Sequence, residues 1–66
     1  MRIHVNNKAR EVKDEKNVHD LLEELEVPKQ GTAVAINNRV VPKDAWLSTL
    51  LAEDDKVTLI RATQGG

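Results

Sequence analysis

Apolar and polar residues alternate in RIHV, where Ile3 and Val5 are interleaved with Arg2 and His4, and again in AREVK, where Val12 lies between charges. A period of two puts alternate side chains on opposite faces of a strand, so both stretches are expected to be strands with one buried side. Asn6 and Asn7 between them tolerate positive φ better than most side chains, and a first hairpin is the expected result. The period then changes. In NVHDLLEELEV, Val18, Leu21, Leu22 and Leu25 recur at i, i+3, i+4 and i+7, while Asp20, Glu23, Glu24 and Glu26 fall on the other side. That is a helix with one apolar stripe. Asn17 is placed to cap it, Asp20 three residues on stands in for the usual acid of a capping box, and Pro28 is expected to end it.

TAVAIN and RVVP return to strand character, and Asn37 and Asn38 between them predict a second tight hairpin. KDAWLSTLLAEDD has no clear period. One or two short helical turns are expected there, with Trp46, Leu47, Leu50 and Leu51 closing one end of the core. KVTLIR alternates once more, Val57 and Leu59 on one face and Thr58 and Ile60 on the other, and the remaining ATQGG has no apolar pattern to pack. The predicted order is strand, strand, helix, strand, strand, irregular segment, strand. One helix on one face of a single sheet is the economical way to bury these stripes, giving an α+β fold with a mixed sheet of about five strands. With the last strand beside the first, this is the β-grasp, or ubiquitin-like, arrangement. Residues 1–61 are expected to form the domain and 62–66 a flexible tail.

A chain of 66 residues allows one domain. Even when compact, such a domain buries only about 60% of its unfolded surface, which argues against a large internal active site. With Trp46 the single aromatic residue, the core must be built mainly from Val, Leu and Ile. The sequence has no cysteine, which removes disulfides, thiolate metal ligands and any side chain able to form a thioester. A formal charge of −1 with no basic block makes nucleic acid a poor candidate partner. No stretch approaches the roughly 20 apolar residues of a membrane crossing, so the chain is expected to be soluble and cytoplasmic.

Side-chain chemistry is sparse. His4 and His19 are far apart without a second ligand at metal spacing, and no metal is expected. Asp54 and Asp55 read as a solvated turn, and Glu23, Glu24 and Glu26 as the water-facing side of the helix. Ser48 is the one serine and lacks a neighbouring histidine or a glycine elbow, while Gly31 stands alone and makes no phosphate loop. Two features remain. Alternation places Ile60 on the face away from the helix, where an uncovered apolar side chain beside a tail suggests a docking surface. The tail has the second. Gly65 and Gly66 lack Cβ atoms and can enter a narrow channel, and an extended segment from Ala62 to Gly66 reaches roughly 17 Å. A terminal carboxylate, ionised at neutral pH, can attack a phosphoryl centre of ATP and become an acyl-adenylate. The partner would supply ATP, Mg²⁺ and transition-state stabilisation, so catalytic side chains are not expected in this chain.

The predicted order followed by Gly65-Gly66 resembles the ubiquitin-like sulfur carriers. The runs AVAINNRVVPKDAW and NVHDLLEEL are similar to the ThiS family, the carriers of thiamine biosynthesis. The resemblance implies a carrier and not an enzyme, with no cofactor bound by the chain itself. The Gly66 carboxylate would be adenylated by a ubiquitin-activating-type, ThiF-like enzyme that uses ATP and Mg²⁺. A sulfur donor protein would convert it to a thiocarboxylate, and a ThiG-like thiazole synthase would receive the sulfur. Gly65 would thread the tail, Ile60, Arg61, Ala62, Thr63 and Gln64 would contact partners, and the carrier would move between them as a monomer. Neighbouring readings share the fold and the terminus: a MoaD-like carrier for molybdopterin, a carrier for cysteine or tRNA thiolation, and a ubiquitin-like modifier whose carboxyl is attacked by a lysine amine. A plain interaction module with incidental glycines would keep its function without Gly65 and Gly66.

Overall fold

The computed structural model describes residues 1–61. Expectations for Ala62, Thr63, Gln64, Gly65 and Gly66 lie outside the described residues. The elements are β1 (Arg2–Val5), β2 (Lys8–Glu11), α1 (Val18–Glu24), β3 (Thr32–Ile36), β4 (Arg39–Val41), a single 3₁₀ turn (Lys43–Ala45) and β5 (Lys56–Arg61). Their sheet order is β2-β1-β5-β3-β4, with β5 parallel to β1 and antiparallel to β3. The sheet is therefore mixed, and its last strand lies at its centre, beside the first as the β-grasp arrangement requires. Two residues make each hairpin turn, Asn6-Asn7 with φ of 49° and 70° and Asn37-Asn38 with φ of 51° and 71°. Positive φ at both central positions is the type I′ turn, whose twist matches that of the paired strands.

Strand alternation and the helical stripe converge on one core. Ile3, Val34 and Val57 come from the strands, Val18, Leu21 and Leu22 from α1, and Val12, Trp46 and Leu51 close the ends. No buried polar or charged residue occurs among the described residues. A helix of 7 residues does not persist alone, because fixing the backbone of its first turn costs more entropy than its few hydrogen bonds return, so its ends are tied to the rest. Asn17 Oδ1 accepts from the Asp20 amide at 2.7 Å, as the capping pattern predicts. The Val18 and His19 amides donate to the carbonyls of Thr49 and Trp46 at 3.1 and 3.2 Å. The irregular segment thus completes the helix start.

Within the fold the structure differs from the sequence reading at the helix end and in the irregular segment. The helix stops before Pro28: Glu26 adopts φ of 59°, its amide donates to the Glu23 carbonyl, and the Val27 amide donates to the Leu22 carbonyl. This is a Schellman ending built without the usual glycine. In the irregular segment Trp46 and Leu51 are buried, but Leu47 and Leu50 are 66% and 59% exposed. Leu50 contributes through its backbone, as an isolated bridge to Asn17, and the Trp46 indole Nε1 donates to the Val41 carbonyl at 3.0 Å. The backbone needed to reach both α1 and β4 turns these two leucines outward.

Candidate functional site

β5 is the last element among the described residues, and its position is fixed from both sides. On the β3 side the register pairs Val57 with Ile36, Thr58 with Ala35, Leu59 with Val34, Ile60 with Ala33 and Arg61 with Thr32. On the other side β1 pairs only His4 with Lys56 and Val5 with Val57, because β1 then enters its turn. A side chain continues the ladder where the strand ends. Asn6 Oδ1 accepts the Leu59 amide at 2.9 Å, and the Asn6 amide donates to the Val57 carbonyl. Asn37, the equivalent residue of the second turn, accepts the Lys56 amide through Oδ1 at 3.0 Å and donates through Nδ2 to Asp55 Oδ1. The strand is held by an asparagine from each hairpin.

Asp55 is accordingly more than a solvated turn residue. It is half-buried, and its second oxygen accepts the Ala52 amide at 2.8 Å, whereas Asp54 is exposed with φ of 69°. His4 and His19 are half-buried instead of fully solvated, and His19 Nδ1 lies 3.3 Å from Asp20 Oδ1. Among the described residues no group of three or more His, Asp or Glu is placed to hold a metal ion. No helix among them is long and apolar enough to cross a membrane. The acidic side of α1 is only partly given to water. Glu24 pairs with Lys16 at 2.8 Å and Arg10 at 3.3 Å, and Glu23 pairs with Lys29. The hydrogen bond and charge of Lys29 hold the Glu23 carboxyl below its ordinary pKa. Glu24 is lowered by its hydrogen bond from Lys16, against partial desolvation, with a further contribution from Arg10.

Ile60 lies where alternation places it, on the sheet face opposite the helix, and is 55% exposed. Its cross-strand neighbour Ala33 is too small to cover it, and Ala35 and Val40, paired in register, continue the apolar surface toward the β4 edge. Val40 is 74% exposed. On the other half of the same face the register brings Arg2 beside Glu11 and His4 beside Ala9, and Arg2 Nε lies 3.6 Å from Glu11 Oε2. The open face is therefore charged on one side of β5 and apolar on the other. Arg61 is exposed at the end of β5. The contributions of Ala33, Ala35 and Val40 escaped the sequence reading, although small residues at alternate positions of TAVAI were the available signal.

Three comparisons bear on this arrangement. The chain matches the model of the ThiS family over residues 3–66. It is 33% identical over 66 residues to the sulfur carrier protein ThiS of Escherichia coli (strain K12), and the match covers 100% of both chains. Among solved structures, the crystal structure of the thiamine biosynthesis protein (ThiS) from Geobacter metallireducens superposes with a TM-score of 0.87 at 29% identity, covering 100% of both chains. A solution structure of a thiamine biosynthesis protein from the same organism gives 0.81 at 29% identity, over 100% of this chain and 88% of that one.

Proposed function

This chain belongs to the ThiS family and is a sulfur carrier of thiamine biosynthesis, and we propose that the sulfur travels on the carboxyl carbon of Gly66. The observation that carries this reading is the extent of the family match, which continues past the end of β5 at Arg61 and takes in Gly65 and Gly66. The absence of cysteine fits it, since no thiol is available to hold sulfur elsewhere.

In the proposed sequence a Gly66 carboxylate oxygen attacks the α-phosphorus of ATP, forming acyl-adenylate and releasing pyrophosphate. A sulfide-level nucleophile then adds to the activated carbonyl. The acyl–oxygen bond breaks, AMP leaves with the electron pair, and the sulfhydryl proton is lost to give the thiocarboxylate. Separating activation from transfer replaces a poor leaving oxide with a good one. The chain contributes the carboxylate and the recognition surface. An adenylating enzyme of the ubiquitin-activating type supplies the ATP, Mg²⁺ and electrostatic stabilisation, and a thiazole synthase accepts the sulfur. Gly65 lets the segment pass into both partners without a Cβ, Ile60 and Arg61 contact them at the domain's end, and Ala62, Thr63 and Gln64 contact them along the tail.

The test is intact mass after incubation with ATP, Mg²⁺, sulfide and the adenylating enzyme. The expected result is a sulfur-for-oxygen gain located in the C-terminal peptide and absent from a variant lacking Gly66. An adenylating enzyme active on another carrier but producing no such gain here would overturn the reading.

A further inference from the structure

At the end of the sheet where β5 finishes, the open face carries a groove of about 290 Å³ whose walls include Lys29, Gly31, Ala33, Lys43 and Ile60. Topology assembles it. β3 begins, β4 ends and β5 ends at the same edge, as the pairings Val34 with Val41 and Ala33 with Ile60 require. Gly31 makes the bend into β3 with φ of 80°; a Cβ there would meet nothing within 4 Å, so the backbone angle, not crowding, calls for glycine. The floor is apolar because Ala33 leaves the flank of Ile60 uncovered. Among the described residues the lining contains two cations and no anion, in a chain whose formal charge is −1. Glu23 offsets Lys29 from outside the groove, whereas Lys43 has no ion pair among the described residues. The Thr32 hydroxyl is engaged with the Pro28 carbonyl.

Resting on the carrier reading above, we propose that this groove receives an acidic, aliphatic segment of the adenylating enzyme, a carboxylate of that segment lying against Lys43 and Lys29 and an aliphatic side chain against Ile60. Charge complementarity selects the carboxylate, and the uncovered isoleucine selects the aliphatic neighbour. The location gives the contact its purpose. Ile60 precedes Gly66 by few enough residues that an enzyme seated in the groove lies within about 20 Å of chain from the carboxyl it must activate. Lys43 is then a positioning residue. Its charge sets where the enzyme sits and has no part in the transfer.

The experiment measures binding of the purified adenylating enzyme to the full chain without ATP, at low and high salt, and the adenylation rate at saturating chain. Lys43→Glu is expected to weaken binding about tenfold and flatten its salt dependence, with the maximal rate within about twofold of native. Lys43→Arg should restore binding. Lys8→Glu, on β2 at the far edge of the sheet, should leave it unchanged. Because Lys43 is exposed and its backbone carbonyl, which accepts from the Trp46 amide, is kept, folding is unaffected. Native adenylation combined with Lys43→Glu binding and salt dependence within about twofold of native would overturn the groove and leave the carrier reading standing. A chain bound through Lys43 but never adenylated would support the groove and overturn the carrier reading. A chain that the enzyme does not bind would overturn both.

Discussion

The two hairpins of this domain share a turn and present different surfaces. Asn6-Asn7 and Asn37-Asn38 have the same pair of positive φ values to within 2°, and the first asparagine of each accepts an amide of β5. Local chain geometry is nearly repeated. What differs is the outer face: Arg2, His4 and Glu11 on the β1–β2 side, Ala33, Ala35 and Val40 on the β3–β4 side. One device thus fixes β5 from both flanks, while side chains that cost the fold little make one flank charged and the other apolar. Ile60 belongs to the apolar flank because its neighbour there is Ala33. If recognition rests on the apolar flank, as proposed above, positioning and recognition are carried by separate residues, so each should fail separately.

The largest effect should come from removing what holds the second hairpin to the helix. Trp46 is buried, and its indole ties the 3₁₀ turn to the end of β4. Trp46→Ala is expected to cost about 3–5 kcal/mol, a large share of the stability of a small domain. Val12→Ala, which opens the corresponding end of the first hairpin, removes less volume and should cost clearly less. Urea unfolding of the two variants gives the comparison, and equal losses would show that the tryptophan anchor holds nothing specific to the second hairpin.

The asparagines come next. Asn37 makes two side-chain hydrogen bonds where Asn6 makes one, and both hold a left-handed backbone. Asn37→Ala is expected to destabilise by about 2–3 kcal/mol and Asn6→Ala by about 1–2 kcal/mol, from the backbone strain plus the lost bonds. Glycine at either position would relieve the strain and leave only the hydrogen-bond loss. If the two glycine variants unfold at the same urea concentration, the extra bond of Asn37 to Asp55 contributes nothing.

Both turns are legible in the sequence, because two asparagines between alternating runs leave few other geometries. Their side-chain bonds are not legible: Asn6 reaches Leu59 across 53 residues, a contact that exists only once β5 is known to lie between β1 and β3. The exposure of Ile60 follows from alternation alone, whereas the groove beside it does not, since Lys29 and Lys43 meet only through the pairing of β3 with β4. Glu26 in a left-handed conformation is equally hidden, because nothing in its chemistry announces a helix stop ahead of Pro28. In the irregular segment no period separated buried Trp46 and Leu51 from exposed Leu47 and Leu50. Tertiary hydrogen bonds made that choice.

Recognition should fail without folding on the apolar flank only. Ile60→Asp and Ala9→Asp both place a carboxylate on the open face of the sheet, and each is expected to change stability by no more than about 1 kcal/mol. Ile60→Asp should raise the concentration of chain needed for half-maximal adenylation about tenfold or more, because it desolvates a charge against the docking partner. Ala9→Asp should leave that concentration unchanged. Equal losses would mean that the whole face is contacted and the division between its halves has no bearing on function.

The smallest effect separates the two acids of α1. Glu24 ties the helix to Arg10 of the first hairpin, and Glu23 ties it to Lys29 at the entrance to the second. Lysine partners lower both carboxyl pKa values in the folded state, so each contributes stability that is present above the ordinary glutamate value and lost as the pH falls through the lowered one. Glu24→Gln and Glu23→Gln should therefore be slightly less stable than native at pH 7, and the gap should close below about pH 4. Their effects on binding should diverge. Glu24 offsets no charge in the groove, so Glu24→Gln should bind the adenylating enzyme as native does, whereas Glu23→Gln leaves the field of Lys29 uncompensated and should tighten binding about two- to threefold at low salt. An identical affinity for both variants would confine the electrostatic contribution of the second flank to Lys43.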